Sequence, residues 1–211
     1  MTEERRQYAC IMADPPWLER GSGKSKRGAD RHYPLLTRQE IVQAIHGSPL
    51  WTPADDAHLW LWATSNHLED ALWVMDALGF RYVTQAVWVK LSKWTTDPKA
   101  MASKLGREVM AALGRGDIRR AVEIVIRTGL GQYLRGSHEI LLLGTRGRGA
   151  QVRTDRRDLR SVIVAPIGRH SAKPEASYEL IEARSKGPRL ELFARTPREG
   201  WDAWGLEISD G

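Results

Sequence analysis

The sequence predicts an open α/β sheet with mostly parallel strands and helices on both faces. Three observations carry that expectation. Apolar runs of strand length alternate with helically spaced apolar residues along most of the chain. Residues 58–90 read strand, helix, strand, which predicts a parallel pair joined by a right-handed crossover. The 211 residues suffice for one domain with a sizeable core, and no internal repeat or clean boundary divides them.

In chain order, residues 8–13 read as a buried strand that ends at Asp14-Pro15-Pro16-Trp17. Residues 18–31 form a loop rich in Gly, Ser, Lys and Arg. Thr37 with Glu40 is a capping-box pair; Ile41, Val42 and Ile45 give that helix its apolar side, and Gly47 ends it. Residues 58–63 are a strand carrying Trp60 and Trp62. Ser65 or Asn66 caps the next helix, with Leu68, Ala71, Leu72, Met75 and Leu78 at helical spacing and Gly79 as its stop. Residues 80–90 return as a strand. Residues 91–126 are a helical insertion, with helical spacing over 101–113 and 118–126. It reads equally as a lid, a nucleic-acid-contacting arm or a helix pair packed on the core. A glycine-rich turn at 127–133 leads to a strand at 138–143 that begins around Glu139. Residues 161–165 are a short strand, Pro174 suits the first turn of a helix running to about Ser185, and 189–194 are the last strand. Residues 200–205 form an aromatic turn, and Trp60, Trp62 and Trp88 are expected in the core. The whole chain, 1–211, is expected to be a single domain.

The balance of 32 Lys and Arg against 26 Asp and Glu gives a net charge of +6. The positive charge concentrates in two loops, 20–31 and 146–160, the second with Arg146, Arg148, Arg153, Arg156, Arg157 and Arg160. Arginine suits phosphate, so a polyanionic partner is expected there, although a charge run is also what a solvated face looks like. Cys10 is the one cysteine, which excludes an internal disulfide and fits a reducing cytoplasm; it reads as a small buried hydrophobe. Residues 1–7 are charged and lack the apolar core of a secretion signal, and no run is long enough to span a bilayer. No His/Cys cluster has metal-ligand spacing, so no metal is expected.

The stretch that points to chemistry is Asp14-Pro15-Pro16-Trp17. Two prolines end the ladder and stiffen the turn. That turn offers a carboxylate, an aromatic face and a carbonyl expected to have no amide hydrogen competing for it. Such a set suits a flat, hydrogen-bond-donating group such as an aromatic amine. The competing reading is a strand-terminating Pro-Pro turn with a core tryptophan. Gly21-Ser22-Gly23-Lys24-Ser25 imitates the end of a P-loop, but Leu18 stands where that motif needs glycine and no helix start follows. Ligands of open α/β sheets bind beyond the carboxyl ends of the strands. Asp14 follows the first strand and Arg195 the last, so the two would share a crevice if those strands were neighbours.

Four blocks in order then resemble one family. They are Ala13-Asp14-Pro15-Pro16-Trp17 with His32-Tyr33-Pro34; Leu59-Trp60-Leu61-Trp62 through Gly79-Phe80 to Val87-Trp88-Val89-Lys90; Arg127-Thr128-Gly129 through Gly131-Gln132-Tyr133 to Glu139; and His170-Ser171-Ala172-Lys173-Pro174 with Leu190-Glu191-Leu192-Phe193-Ala194-Arg195 and Gly200-Trp201-Asp202. The chain resembles the MT-A70 family of S-adenosylmethionine-dependent adenine-N6 methyltransferases, in the manner of its bacterial and phage members. The resemblance implies a permuted, Rossmann-like methyltransferase fold in which the catalytic loop precedes the cofactor strand. It implies that Asp14, Pro15, Pro16 and Trp17 are catalytic, with Asp14 and the Pro15 carbonyl accepting from the adenine amino group and Trp17 or Tyr33 stacking on the base. It implies substrate contacts from Tyr33, Glu139 and Lys173, and cofactor contacts from Asp14, Lys173, Glu191, Phe193, Arg195 and Glu207. Leu206 departs from the family pattern, which often has asparagine there. The expected activity is methylation of adenine N6 in DNA. Methylation of RNA, or a non-catalytic nucleic-acid-binding subunit, stands as the alternative. Nucleic acid through the two basic loops is the expected partner, with no membrane and with room for a homodimer.

Overall fold

A computed structural model describes residues 6–18, 34–131, 133–168 and 172–205. Among them, seven strands hydrogen-bond in the order β5-β3-β4-β2-β1-β6-β7. They are β1 (Tyr8–Ala13), β2 (Pro53–Ala63), β3 (Arg81–Leu91), β4 (His138–Arg146), β5 (Val162–Pro166), β6 (Arg189–Leu192) and β7 (Asp202–Trp204). The α-helices are α1 (Arg38–Gly47), α2 (Leu68–Ala77), α3 (Lys104–Gly114), α4 (Ile118–Val125) and α5 (Glu175–Arg184). The sheet is mixed and mostly parallel: β1 pairs in parallel with β2 and β6, β6 with β7, and β3 with β5, whereas β2 and β4 are antiparallel. By contacts the chain forms two compact units. One comprises Met1–Ala86, Ile140–Leu159 and Ile181–Gly211, the other Val87–Glu139 and Arg160–Leu180.

The first unit is built on β1, which is buried along its whole length. A strand flanked on both sides by parallel partners must be apolar on both faces, and YACIMA is. Alternation divides its side chains between two layers. Ile11 and Ala13 join Leu59, Leu61, Leu142, Leu190 and Leu192 in the main core, against Ile41 and Ile45 of α1 and Ala71, Val74 and Met75 of α2. Cys10 and Met12 take the other parity, with His58 and Trp60 opposite them on β2 and Glu191 opposite Met12 on β6. Burial pushes the Cys10 thiol up to about 12, so it is the small buried hydrophobe expected. Trp60 and Trp62 are core residues, 4% and 1% exposed.

Helix α1 starts where the sequence places it. The Thr37 side chain accepts from the Glu40 amide and the Glu40 carboxylate receives the Thr37 amide, a closed capping box. Several expectations are corrected. The β2–α2–β3 stretch does not make an adjacent parallel pair, because β4 enters the sheet between the two strands. Neither Ser65 nor Asn66 caps α2; a single 3-10 turn, Ser65–His67, precedes it and the helix starts at Leu68. The buried side of α2 then carries Asp70 and Val74, while Leu72 is half-exposed. Asp70 is tolerated because Arg38 reaches it at 3.5 Å. The supposed aromatic turn at 200–205 contains a seventh strand, β7, parallel to β6, and β6 stops at Leu192, short of residue 194.

The second unit contains the helical insertion. Ser103 and Asp117 cap α3 and α4 through their side chains, accepting from the Gly106 and Arg120 amides. Val109, Ala112 and Ala121 form a small core of their own with Trp94, Ile124 and Val125. Val87, Trp88 and Val89 of β3 pair with Val162, Ile163 and Val164 of β5. Trp88 is buried, and its indole donates to the Ala165 carbonyl at 2.9 Å.

Candidate active site

Two parallel strands bring the decisive residues of the first unit together. Ala13 pairs with Leu192 and Met12 with Glu191, so β1 and β6 end side by side. The Asp14 amide points at the Leu192 carbonyl, 3.4 Å away. The turn after β1 and the turn after β6 therefore open at the same edge, where open α/β sheets take their ligands.

The Asp14-Pro15-Pro16-Trp17 turn is fixed through its few remaining donors. The Trp17 amide donates to the Pro15 carbonyl at 3.0 Å. This corrects the expectation of a carbonyl without a competing amide hydrogen. A carbonyl oxygen has two lone pairs, so one acceptor site of Pro15 remains. Leu36 donates to the Pro16 carbonyl at 2.8 Å and accepts from Leu18 at 2.9 Å. Trp17 is 8% exposed and belongs to the main core. Its indole nitrogen donates to the Trp62 carbonyl at 3.0 Å, and its ring stacks on His67 with 5.6 Å between centroids. The tryptophan thus anchors the turn to the end of β2, while Asp14 and Pro16 stay partly exposed.

After β6 the chain turns sharply. Phe193 has φ of 60°, a left-handed conformation that a bulky residue adopts at a cost of about 1–3 kcal/mol. The surroundings hold it there. Its ring meets Trp204 edge-on at 5.6 Å, and the next amide, Ala194, donates to the Trp204 carbonyl at 2.9 Å. Gly205 is required at the same place, because a Cβ would run into the Ala194 backbone. Glu191 is 7% exposed, Phe193 and Arg195 are half-buried, and all three stand at or just past the strand end. A carboxylate, an aromatic ring and a guanidinium on one strand end fit a ligand that combines hydroxyls, a flat base and a carboxylate. S-adenosylmethionine is such a molecule.

In the second unit, Glu139 and Lys173 form an ion pair at 3.6 Å, and Lys90 donates to the other Glu139 oxygen at 2.5 Å. Burial raises the Glu139 pKa, but the charges of Lys173 and Lys90 outweigh it and hold the carboxyl below its ordinary range. The carboxylate is therefore ionised and shared between two cations. Lys90 was not among the expected site residues. A lysine inside the apolar run 87–91 is the signal that could have found it. Tyr33, Glu207, Leu206 and the basic loop 20–31 lie outside the described residues.

The fold is an α/β fold with a mostly parallel sheet, and its candidate ligand-binding groups stand past the carboxyl ends of the parallel strands β1 and β6. A family model described as MT-A70 matches residues 8–125 and 99–207. The chain belongs to the MT-A70 family, S-adenosylmethionine-dependent adenine-N6 methyltransferases. A type II methyltransferase of a Mycoplasma species, M.MunI, is 27% identical over 98% of this chain and 80% of its own length. A rice protein described as a probable N(6)-adenosine-methyltransferase MT-A70-like is 27% identical over 96% of this chain and 23% of its own length. The human N(6)-adenosine-methyltransferase catalytic subunit METTL3 is 28% identical over 90% of this chain and 26% of its own. The chain spans about a quarter of the length of these two adenosine methyltransferases. Among the described residues, no helix is long and apolar enough to cross a membrane.

Proposed function

We propose that this chain methylates the N6 amino group of adenine in DNA, with Asp14 as the central catalytic residue. The observation that carries the proposal is the shared edge of β1 and β6, with Asp14 beside the Glu191–Arg195 turn. S-adenosylmethionine, when bound, supplies a methyl group made electrophilic by its sulfonium. The chain supplies orientation and electrostatics. The lone pair of an aromatic amine is delocalised into its ring. Asp14 and the remaining acceptor site of the Pro15 carbonyl take the two N6 hydrogens and draw the nitrogen toward tetrahedral geometry, which frees the lone pair for in-line attack. The Asp14 carboxylate also stabilises the positive charge that grows on nitrogen as the bond forms. No general base is needed before transfer, and the surplus proton on nitrogen departs afterwards to water. Pro16 fixes the direction of the turn, and Trp17 holds it to β2.

Glu191, Phe193 and Arg195 hold the cofactor in this reading, with Glu207 continuing the same side. Lys173 contributes to cofactor binding, and Glu139 with Lys173 to substrate binding. Tyr33 is the aromatic that stacks on the base, the role for which Trp17 is too deeply buried. In duplex DNA the adenine is flipped out before it is gripped. The permuted order is supported by the chain meeting the candidate catalytic strand β1 first and the candidate cofactor strand β6 late, with only β7 after it. The reading treats residues 1–211 as one methyltransferase domain carrying the α3–α4 insertion, working in the cytoplasm. DNA is preferred to RNA because the likeness to a type II methyltransferase, a DNA-modifying class, extends over most of both chains. The basic stretches 20–31 and 146–160 provide its phosphate contacts.

The test is to incubate the protein with labelled S-adenosylmethionine and duplex DNA, single-stranded DNA or RNA, and then digest to nucleosides. Label in N6-methyldeoxyadenosine, lost in Asp14→Ala, is the expected result. Label from RNA alone overturns the choice of polymer. No label from any substrate, with Asp14→Ala binding nucleic acid like the wild type, makes the chain a non-catalytic subunit.

A further inference from the structure

The turn at Asp14 has an anchoring problem, because Pro15 and Pro16 have no amide hydrogens to hold it. On the β6 side it has the Asp14 amide facing Leu192 at 3.4 Å, and on another side the Leu36 backbone. Toward the β2–α2 connection the grip is made by two side chains. One is the Trp17 indole on the Trp62 carbonyl. The other is His67, at the end of the 3-10 turn that follows β2 and 2% exposed.

We propose that His67 is a positioning residue for methyl transfer, clamping the exit of the Asp14-Pro15-Pro16-Trp17 turn; the proposal rests on reading that turn as the element that grips the adenine amine. The His67 ring lies nearly parallel to the Trp17 ring, 19° between planes. Its Nε2 meets the Leu18 carbonyl at 3.1 Å, and its Nδ1 meets the Thr64 hydroxyl at 2.8 Å. A carbonyl only accepts, so Nε2 carries the hydrogen, and Nδ1 accepts from the Thr64 hydroxyl. Thr64 also takes the His67 amide on its carbonyl at 3.0 Å. The Leu18 carbonyl therefore selects the tautomer, the Thr64 hydroxyl holds the Nδ1 side of the ring in place, and the ring face seats Trp17. Both ends of Trp17, its side chain and the carbonyl that follows it, are fixed by a histidine that touches neither substrate nor cofactor in this scheme.

Three variants and one control test the clamp under saturating substrate. His67→Phe keeps a ring on Trp17 but loses Nε2–H. Its kcat is expected to fall about ten- to a hundredfold with KM for S-adenosylmethionine within about threefold of wild type, the signature of misorientation rather than lost binding. His67→Gln places an amide nitrogen at about the reach of Nε2 and is expected to recover most of the loss. Thr64→Val, nearly constant in volume, removes the hydroxyl that orients the ring through Nδ1 and is expected to lower kcat with KM unmoved even if His67→Phe does not fold. Wild-type kcat in Thr64→Val, or in His67→Phe with only a lower melting temperature, overturns the clamp. An equal loss in Phe and Gln also overturns it. Asp14→Ala is the control: if it retains activity, the reading of the turn fails, whereas an inactive Asp14→Ala beside a fully active His67→Phe defeats the clamp alone.

Discussion

Asp14 concentrates charge and acceptor capacity in one side chain, and the two can be separated. Asp14→Asn keeps one oxygen acceptor but removes the charge that answers the developing positive nitrogen. It is expected to retain more turnover than Asp14→Ala, which is expected to lose about a hundredfold or more in single-turnover rate. His58 provides a second prediction at this scale, on stability. Its Nε2 donates to the Gly149 carbonyl at 2.9 Å, so its Nδ1 accepts from the Ser185 hydroxyl at 2.8 Å, and the Trp60 indole donates to that same hydroxyl at 2.9 Å. Burial lowers the His58 pKa below its ordinary 6.5; the Gly149 carbonyl opposes the shift and Arg184 and Arg153 add to it. The folded protein refuses a proton that the unfolded chain accepts. The stability from this group is complete above pH 6.5 and is lost as pH falls below it toward the folded-state value. Melting temperature should therefore drop between about pH 7.5 and 5.5, and His58→Gln should flatten that slope.

At the scale of elements, the end of β6 is where local strain meets the candidate cofactor site. Phe193 is held left-handed, and Gly205, just past β7, lets the chain close against Ala194. Gly205→Ala is expected to destabilise the fold by about 1–3 kcal/mol, read as a lower denaturant midpoint. It should also weaken S-adenosylmethionine binding by calorimetry, because relief of the clash moves Phe193. An unchanged midpoint would show that the turn yields without cost. The insertion behaves differently. Its helices are capped by Ser103 and Asp117 and pack Val109, Ala112 and Ala121 together, so it carries a hydrophobic cluster of its own.

At the scale of the molecule, the net charge of +6 becomes a statement about salt. Arg156 is engaged by Asp158 at 2.7 Å and Arg148 by Asp56 at 3.7 Å. Arg153 and Arg157, both exposed on the same stretch, are the better probes of phosphate contact. Replacing both with alanine should weaken DNA binding at all sequences alike and reduce the slope of log K against log salt by about two. An unchanged slope would show that 146–160 is a solvated face.

The sequence by itself determined the periodic and the stiff features. Tyr8 to Ala13 reads as a buried strand because its apolar run admits nothing else, the Thr37–Glu40 pair announces a helix start, and two consecutive prolines must end a strand. Family order in four blocks was legible too, because it is carried by residue identities and their order along the chain. Only the tertiary structure decided the rest. Strand order is set by long-range pairing, so β4 could enter between β2 and β3 without any local sign of it. Whether an aromatic faces a ligand or the core depends on what covers it, which is why Trp17 proved to be an anchor. His67 became visible only once the fold set the Leu18 carbonyl within hydrogen-bond reach of it, and only the fold gave Lys90, conspicuous in its apolar run, Glu139 as its partner. A side chain's partner across 49 residues is a property of the fold, and no spacing along the chain encodes it.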